Sequence, residues 1–153
     1  MKSVPFISVL ILTFLLFTAC NSKKAQSIDS QELGITEPFD ITYSEGGGLT
    51  GMVDTFHLNS SGAVEHFRSL PGQQDSLISS KNVPTTELAK LQQSLLASTI
   101  LNEQLDKKGN MTTKLTYATA DTAYSFSWPG AGATSEMSQD LKKWLAQLKI
   151  ILQ

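Results

Sequence analysis

Apolar and polar residues alternate strictly along Phe39-Asp40-Ile41-Thr42-Tyr43, the period-two pattern of a strand with one buried face. A glycine-rich stretch, Gly46-Gly47-Gly48-Leu49-Thr50-Gly51, interrupts it, and a second alternating run over residues 52–58 places Met52, Phe56 and Leu58 on one side. Asn59-Ser60-Ser61-Gly62 reads as a hairpin turn in which Gly62 takes a left-handed conformation, and a third strand is expected at residues 63–70. With Asn59 opposite Ala63, Asp54 falls opposite Arg68 and His57 opposite Glu65, pairs of opposite or potentially opposite charge. Residues 71–83 are polar and read as a loop. Pro84-Thr85-Thr86-Glu87 then has the form of a helix start, with a hydroxyl cap and an early acid that suits the helix dipole. Leu88, Leu91, Leu95 and Leu96 form the apolar stripe of the helix that follows. After a turn at Lys107-Lys108-Gly109-Asn110, strands are predicted over residues 112–118 and 123–128, with Leu115, Tyr117, Tyr124, Phe126 and Trp128 making one face heavily aromatic. Pro129-Gly130-Ala131-Gly132 ends the sheet, and Thr134-Ser135-Glu136 is expected to cap a last helix. Its stripe is Met137, Leu141, Trp144, Leu145, Leu148, Ile151 and Leu152, with Lys142, Lys143 and Lys149 off it. Strands with one apolar face and two amphipathic helices predict an α+β fold, an antiparallel sheet of about five strands with both helices on one face, in the order βββ-α-ββ-α.

The N-terminus has a different pattern. Met1-Lys2-Ser3 precedes a nearly unbroken apolar run over residues 4–17, then Thr18-Ala19-Cys20, the shape of a secretory signal. The run is shorter than the roughly 20 apolar residues of a comfortable membrane span, so a cleaved signal is favoured over an uncleaved anchor. Cys20 is the only cysteine, so no internal disulfide forms, and an exposed thiol in an oxidising compartment is a liability unless it has a chemical use. Leu16-Phe17-Thr18-Ala19-Cys20 resembles the bacterial lipobox, with Phe17 where an aliphatic residue is usual. The resemblance implies cleavage before Cys20 and acyl chains on its sulfur and amino group, enough lipid for stable anchoring. The expected organisation is a signal peptide (residues 1–19), a lipidated polar tether (residues 20–37) and a single α+β domain (residues 38–153).

Charge and composition narrow the function classes. Twelve basic against 14 acidic side chains give a formal net charge of −2, with no basic block beyond the Lys23-Lys24 and Lys107-Lys108 pairs. Nucleic acid is therefore not an expected partner, since a clustered cationic face is missing. No metal and no cofactor is expected either. The two histidines, His57 and His66, project to opposite faces of one hairpin, and zinc needs three or four convergent ligands. Asp54, His57 and Ser60 or Ser61 lie close in sequence but do not make a triad, because Asp54 and His57 are an odd number of strand positions apart. Asp54 has no acidic partner for general acid–base work, and a structural pair with Arg68 is its simpler role. The expectation is a chain that is not an enzyme.

The glycine-rich stretch is the most unusual local feature. It is no phosphate loop, since no Gly-Lys-Ser or Gly-Lys-Thr follows and the chain enters a strand instead of a helix. Two readings stand: a wide turn where glycine permits positive φ, or a closely approachable segment (Gly46, Gly47, Gly48, Leu49 and Gly51) that presents Leu49 to a protein partner. Gly47-Gly48-Leu49-Thr50-Gly51 after a short strand resembles the Gly-Gly-aromatic-Ala-Gly stretch of emfourin-like proteins, with Leu49 in the aromatic place. The order that follows is also similar: a hairpin, the Pro-Thr-Thr-Glu-Leu helix start, a Thr-Tyr/Tyr-Ser-Phe-Ser-Trp hairpin and an amphipathic C-terminal helix. That family includes a small proteinaceous inhibitor of thermolysin-like metalloproteases, so the resemblance implies a binding module with an envelope protein or a protease as partner. Asp75-Ser76-Leu77 and Asp121-Thr122-Ala123 resemble an O-glycosylation tripeptide of exported bacterial proteins. Asn21 after the lipid-bearing cysteine points, by analogy with enteric sorting, to the outer membrane facing the periplasm. The expected function is a lipid-anchored cell-envelope binding module; the alternatives are a structural or assembly lipoprotein, whose signature would be an exposed apolar patch or sheet edge, and an enzyme with an unrecognised site.

Overall fold

The computed structural model describes residues 34–153; the expected signal peptide, Cys20 and residues 21–33 of the tether lie outside the described residues. Six strands form one antiparallel sheet: β1 (Asp40–Gly47), β2 (Met52–Asn59), β3 (Ala63–Ser69), β4 (Ser76–Asn82), β5 (Met111–Ala118) and β6 (Ala123–Pro129), in the order β4-β3-β2-β1-β5-β6. Two helices, α1 (Thr85–Leu96) and α2 (Gln139–Leu152), complete an α+β fold, with a short 3-10 turn (Ile100–Asn102) after α1. The register of β2 and β3 follows from their turn. Gly62 takes φ 99°, the Asn59 side chain accepts from the amides of Ser61 (3.1 Å) and Ala63 (3.2 Å), and Asp54 then faces Arg68 while His57 faces Glu65.

One face of the sheet supplies Ile41, Tyr43, Leu58, Val64, Leu115, Tyr117, Phe126 and Trp128 to a single core. The stripes of both helices join it: Leu88, Leu91 and Leu95 from α1, and Leu141, Trp144, Leu145, Leu148 and Leu152 from α2. Trp144 also donates its indole N–H to the Leu91 carbonyl at 3.0 Å, fixing the helices to each other through a buried bond. Chain attachment to this core begins before β1, where Ile35 packs against it and Phe39 is buried.

Several expectations need correcting. The sheet has six strands, not five, and the order is ββββ-α-ββ-α, because residues 76–82 of the supposed polar loop form β4. All seven residues of β4 are exposed, so no burial alternation marked it. Gly46 and Gly47 belong to β1, and the turn is confined to residues 48–51; glycine at position 46 is a packing requirement, since a Cβ there would lie 2.5 Å from the Met52 carbonyl oxygen and the Val53 Cα. In α1, Leu96 is 40% exposed and Gln92 is buried in the stripe instead, because position 92 lies nearer the stripe's centre at about 100° per residue. No hydroxyl caps α1: Pro84 stands at its N-cap, with its carbonyl accepting from the amides of Glu87 and Leu88. The cap of α2 is Ser138, not the Thr134-Ser135 pair, and its Oγ accepts from the Leu141 amide at 3.0 Å; Met137 is buried ahead of the helix.

Candidate functional site

The turn between β1 and β2 is held from both sides. Gly48 donates its amide to the Asn110 carbonyl at 2.7 Å, just before β5. On the other flank Gly51 adopts φ 62°, and a Cβ there would lie 2.7 Å from Pro71 Cγ. Across the turn, the Gly51 amide reaches the Gly48 carbonyl at 3.4 Å and the Met52 amide reaches Thr50 Oγ1 at 3.3 Å. Four glycines with positive φ or no room for a Cβ thus fold the backbone tightly between two neighbours. Leu49 projects from the resulting tip fully into solvent, with a relative exposure of 104%. Met111 (45%), Leu70 (39%) and Pro71 are the exposed apolar residues on its flanks. The tip's chemistry is apolar side chain and pinned backbone. Beside Leu49 the turn carries the Thr50 hydroxyl, which accepts from the Met52 amide at 3.3 Å.

The sequence-derived polar candidates fall into two sets. Asp54 accepts from Arg68 Nε at 2.9 Å and Nη2 at 3.3 Å and bonds His66 Nε2 at 2.9 Å, while Phe56 stacks on the His66 ring at 4.2 Å. The Arg68 hydrogen bond, then that of His66, holds the Asp54 carboxyl below its ordinary range despite partial desolvation. His57 lies on the other face, near Thr42 Oγ1 at 3.3 Å and edge-on to Phe67. The two histidines and Asp54 with His57 are therefore separated by the sheet, and Ser61 Oγ donates to Asn59, away from any base. Among the described residues, no three His, Cys, Asp or Glu side chains converge as metal ligands.

Three interactions had no signal in the sequence. Glu45, beside Asp54 on the adjacent strand, binds Lys149 Nζ of α2 at 2.6 Å and accepts from the Tyr43 hydroxyl. Lys149 lies over the Tyr43 ring at 5.3 Å. Burial first, then the hydrogen bond and charge of Glu45, raise the Tyr43 phenol above its ordinary range. Gln92, 1% exposed, accepts from the Thr36 amide at 2.8 Å and donates to the Glu37 carbonyl at 2.8 Å and the Tyr117 hydroxyl at 3.3 Å. Glu103, from the segment after the 3-10 turn, accepts from the Ser138 hydroxyl at the start of α2. Each has a structural purpose, tying a helix or the entering chain to the sheet.

No helix of the described residues is long and apolar enough to cross a membrane. Compared with known proteins, the chain matches no protein family and no curated protein.

Proposed function

We propose that this chain is a lipid-anchored binding module of the bacterial cell envelope, held through lipid on Cys20 and recognising a protein, such as an envelope protease, through the tip that carries Leu49. One observation carries the reading: Leu49 stands wholly in solvent on a turn fixed on both flanks. Full burial of a leucine side chain is worth about 1.5–3 kcal/mol, so a partner pocket that accepts it gains binding energy without having to order a loop first.

Three measurements test this. Chemical crosslinking in intact envelopes, followed by capture of the chain, should recover one protein partner in stoichiometric amount, and Leu49→Asp should lose it while leaving the fold intact. Equal recovery by the variant would refute the tip as the site. For the inhibitor version, titration of a thermolysin-like protease should abolish its activity near equal molarity. Full activity at micromolar excess removes that version. Replacement of Cys20 by serine should release the chain from the membrane.

A further inference from the structure

A sheet of six strands has two edges, and here they differ. The edge at β6 is occupied: Ser127 donates to the Leu105 carbonyl at 2.7 Å, Lys107 donates to the Ser127 carbonyl at 2.9 Å, and the last residue of the strand, Pro129, has no amide to offer. The edge at β4 pairs only with β3, and among the described residues nothing lies along its other side. All of β4 is exposed, including Leu77 (55%) and Ile78 (49%), two adjacent aliphatic residues that the core does not use. A row of unpaired backbone donors and acceptors beside exposed aliphatic side chains is a template for strand addition.

The two sides of that edge have different chemistry. On the face away from the helices, Leu77 pairs with Phe67, which pairs in turn with Thr55, and Val53 lies one pair farther along β2. On the helix side, Lys81 pairs with Val64 and Ser76 with Arg68, whose guanidinium is already engaged by Asp54, so Lys81 is the cation that the edge strand itself presents. A second copy of this chain suits the edge poorly. The pairing of β4 shifts register between His66 and Phe67, a bulge that twists the edge, and Lys81 is the kind of residue that guards an edge against its own kind. The same lysine attracts an acidic strand.

We infer that the free edge of β4 accepts an extended segment of another protein as a seventh strand, with aliphatic residues on the Leu77 side and acidic residues on the Lys81 side. Its main-chain bonds give affinity, and the alternation gives selectivity. This surface is separate from the Leu49 tip and stands or falls without it.

The test uses the full chain in detergent and three synthetic probes: the acetylated peptide Asp-Val-Glu-Val-Asp-Val, its counterpart with lysine at every acidic position, and the acidic peptide with proline at its second valine. Hydrogen–deuterium exchange should show residues 76–82 protected by the acidic peptide alone. Lys81→Glu should weaken that binding about fivefold, the worth of one exposed charge pair, and admit the lysine peptide. Leu49→Asp should change neither result. The inference is overturned by no protection at millimolar acidic peptide, by protection elsewhere only, or by equal binding of the proline peptide or the Lys81→Glu variant. It is overturned too if the chain dimerises through β4, shown by a sedimentation shift that Leu77→Lys abolishes.

Discussion

Replacing Gln92 by methionine, a side chain of similar volume, isolates the value of one buried amide. Gln92 uses both of its N–H donors and its carbonyl oxygen, to the Glu37 carbonyl, the Tyr117 hydroxyl and the Thr36 amide. Thr36 and Glu37 are exposed residues, so their backbone groups can turn to water at the net cost of ordinary hydrogen bonds, about 0.5–1.5 kcal/mol each. Tyr117 is 1% exposed, and its hydroxyl would be left without that partner in the core, at about 1–3 kcal/mol. Methionine should therefore destabilise the domain by about 2–6 kcal/mol, read as a lower urea midpoint with an unchanged slope. Exposed Gln93, the next residue, is the control, and Gln93→Met should stay within about 0.5 kcal/mol of the parent. In a Tyr117→Phe background the Gln92→Met penalty should shrink, because no hydroxyl is left to orphan. The Thr36 amide should also lose protection from exchange in Gln92→Met. If the two glutamine variants are equally benign, Gln92 does not fasten the entering chain to α1 and the reasoning fails.

Three further outcomes follow from the geometry. Because Arg68 and His66 lower the Asp54 carboxyl, their contribution is complete above the carboxyl's unfolded value and disappears as pH falls through the folded one. Asp54→Asn should flatten the stability profile below about pH 4, and an unchanged acid limb in urea titrations would count against the pair. Gly46→Ala places a methyl 2.5 Å from backbone atoms of Met52 and Val53 that cannot rotate away, so it should cost at least about 2 kcal/mol by thermal denaturation, against about 1 for Gly72→Ala, whose Cβ meets nothing within 4 Å. Burial raises the phenols of Tyr43 and Tyr117, so both stay protonated in the folded chain and stability falls as pH rises past the ordinary tyrosine value of about 10. Tyrosinate absorbance should rise in step with unfolding, and a rise that precedes unfolding in full would contradict their burial.

What the sequence made legible was local and periodic. The turn at Asn59-Ser60-Ser61-Gly62 sets the offset between β2 and β3, so the Asp54 and Arg68 pairing could be read from four residues. The stripe of α2 was equally plain, since five of its buried positions recur at helical spacing. β4 escaped because periodicity reports burial, and a strand that buries nothing has none to report. Lys149 and Glu45 are 104 residues apart, and only the packing of α2 across the sheet brings them together. Gln92 escaped for a related reason: a polar residue in an apolar stripe looks like an error until its three partners are in view. At the tip, the glycine cluster was visible but its meaning was not. Gly46 is needed for Val53, Gly47 for Asn110 and Gly51 for Pro71, all contacts with residues outside the motif.

That last distinction separates what the fold requires from what it leaves free. The glycines around the tip are explained by positive φ and by the close approach of neighbouring atoms, so their replacement reports on folding and says little about a partner. Leu49 is the reverse case, because its side chain is fully exposed and the turn beneath it is held by backbone and glycine. Leu77 and Ile78 are close to that condition, exposed on a strand whose tie to the rest of the sheet is its ladder with β3. An edge strand with no buried side chains opens at lower free energy than the core strands beside it, and such elements are where exchange with a partner strand meets the least resistance. Polar replacements at these three positions should therefore weaken the proposed binding with little effect on stability. They are the substitutions at which a lost interaction cannot be mistaken for a lost fold.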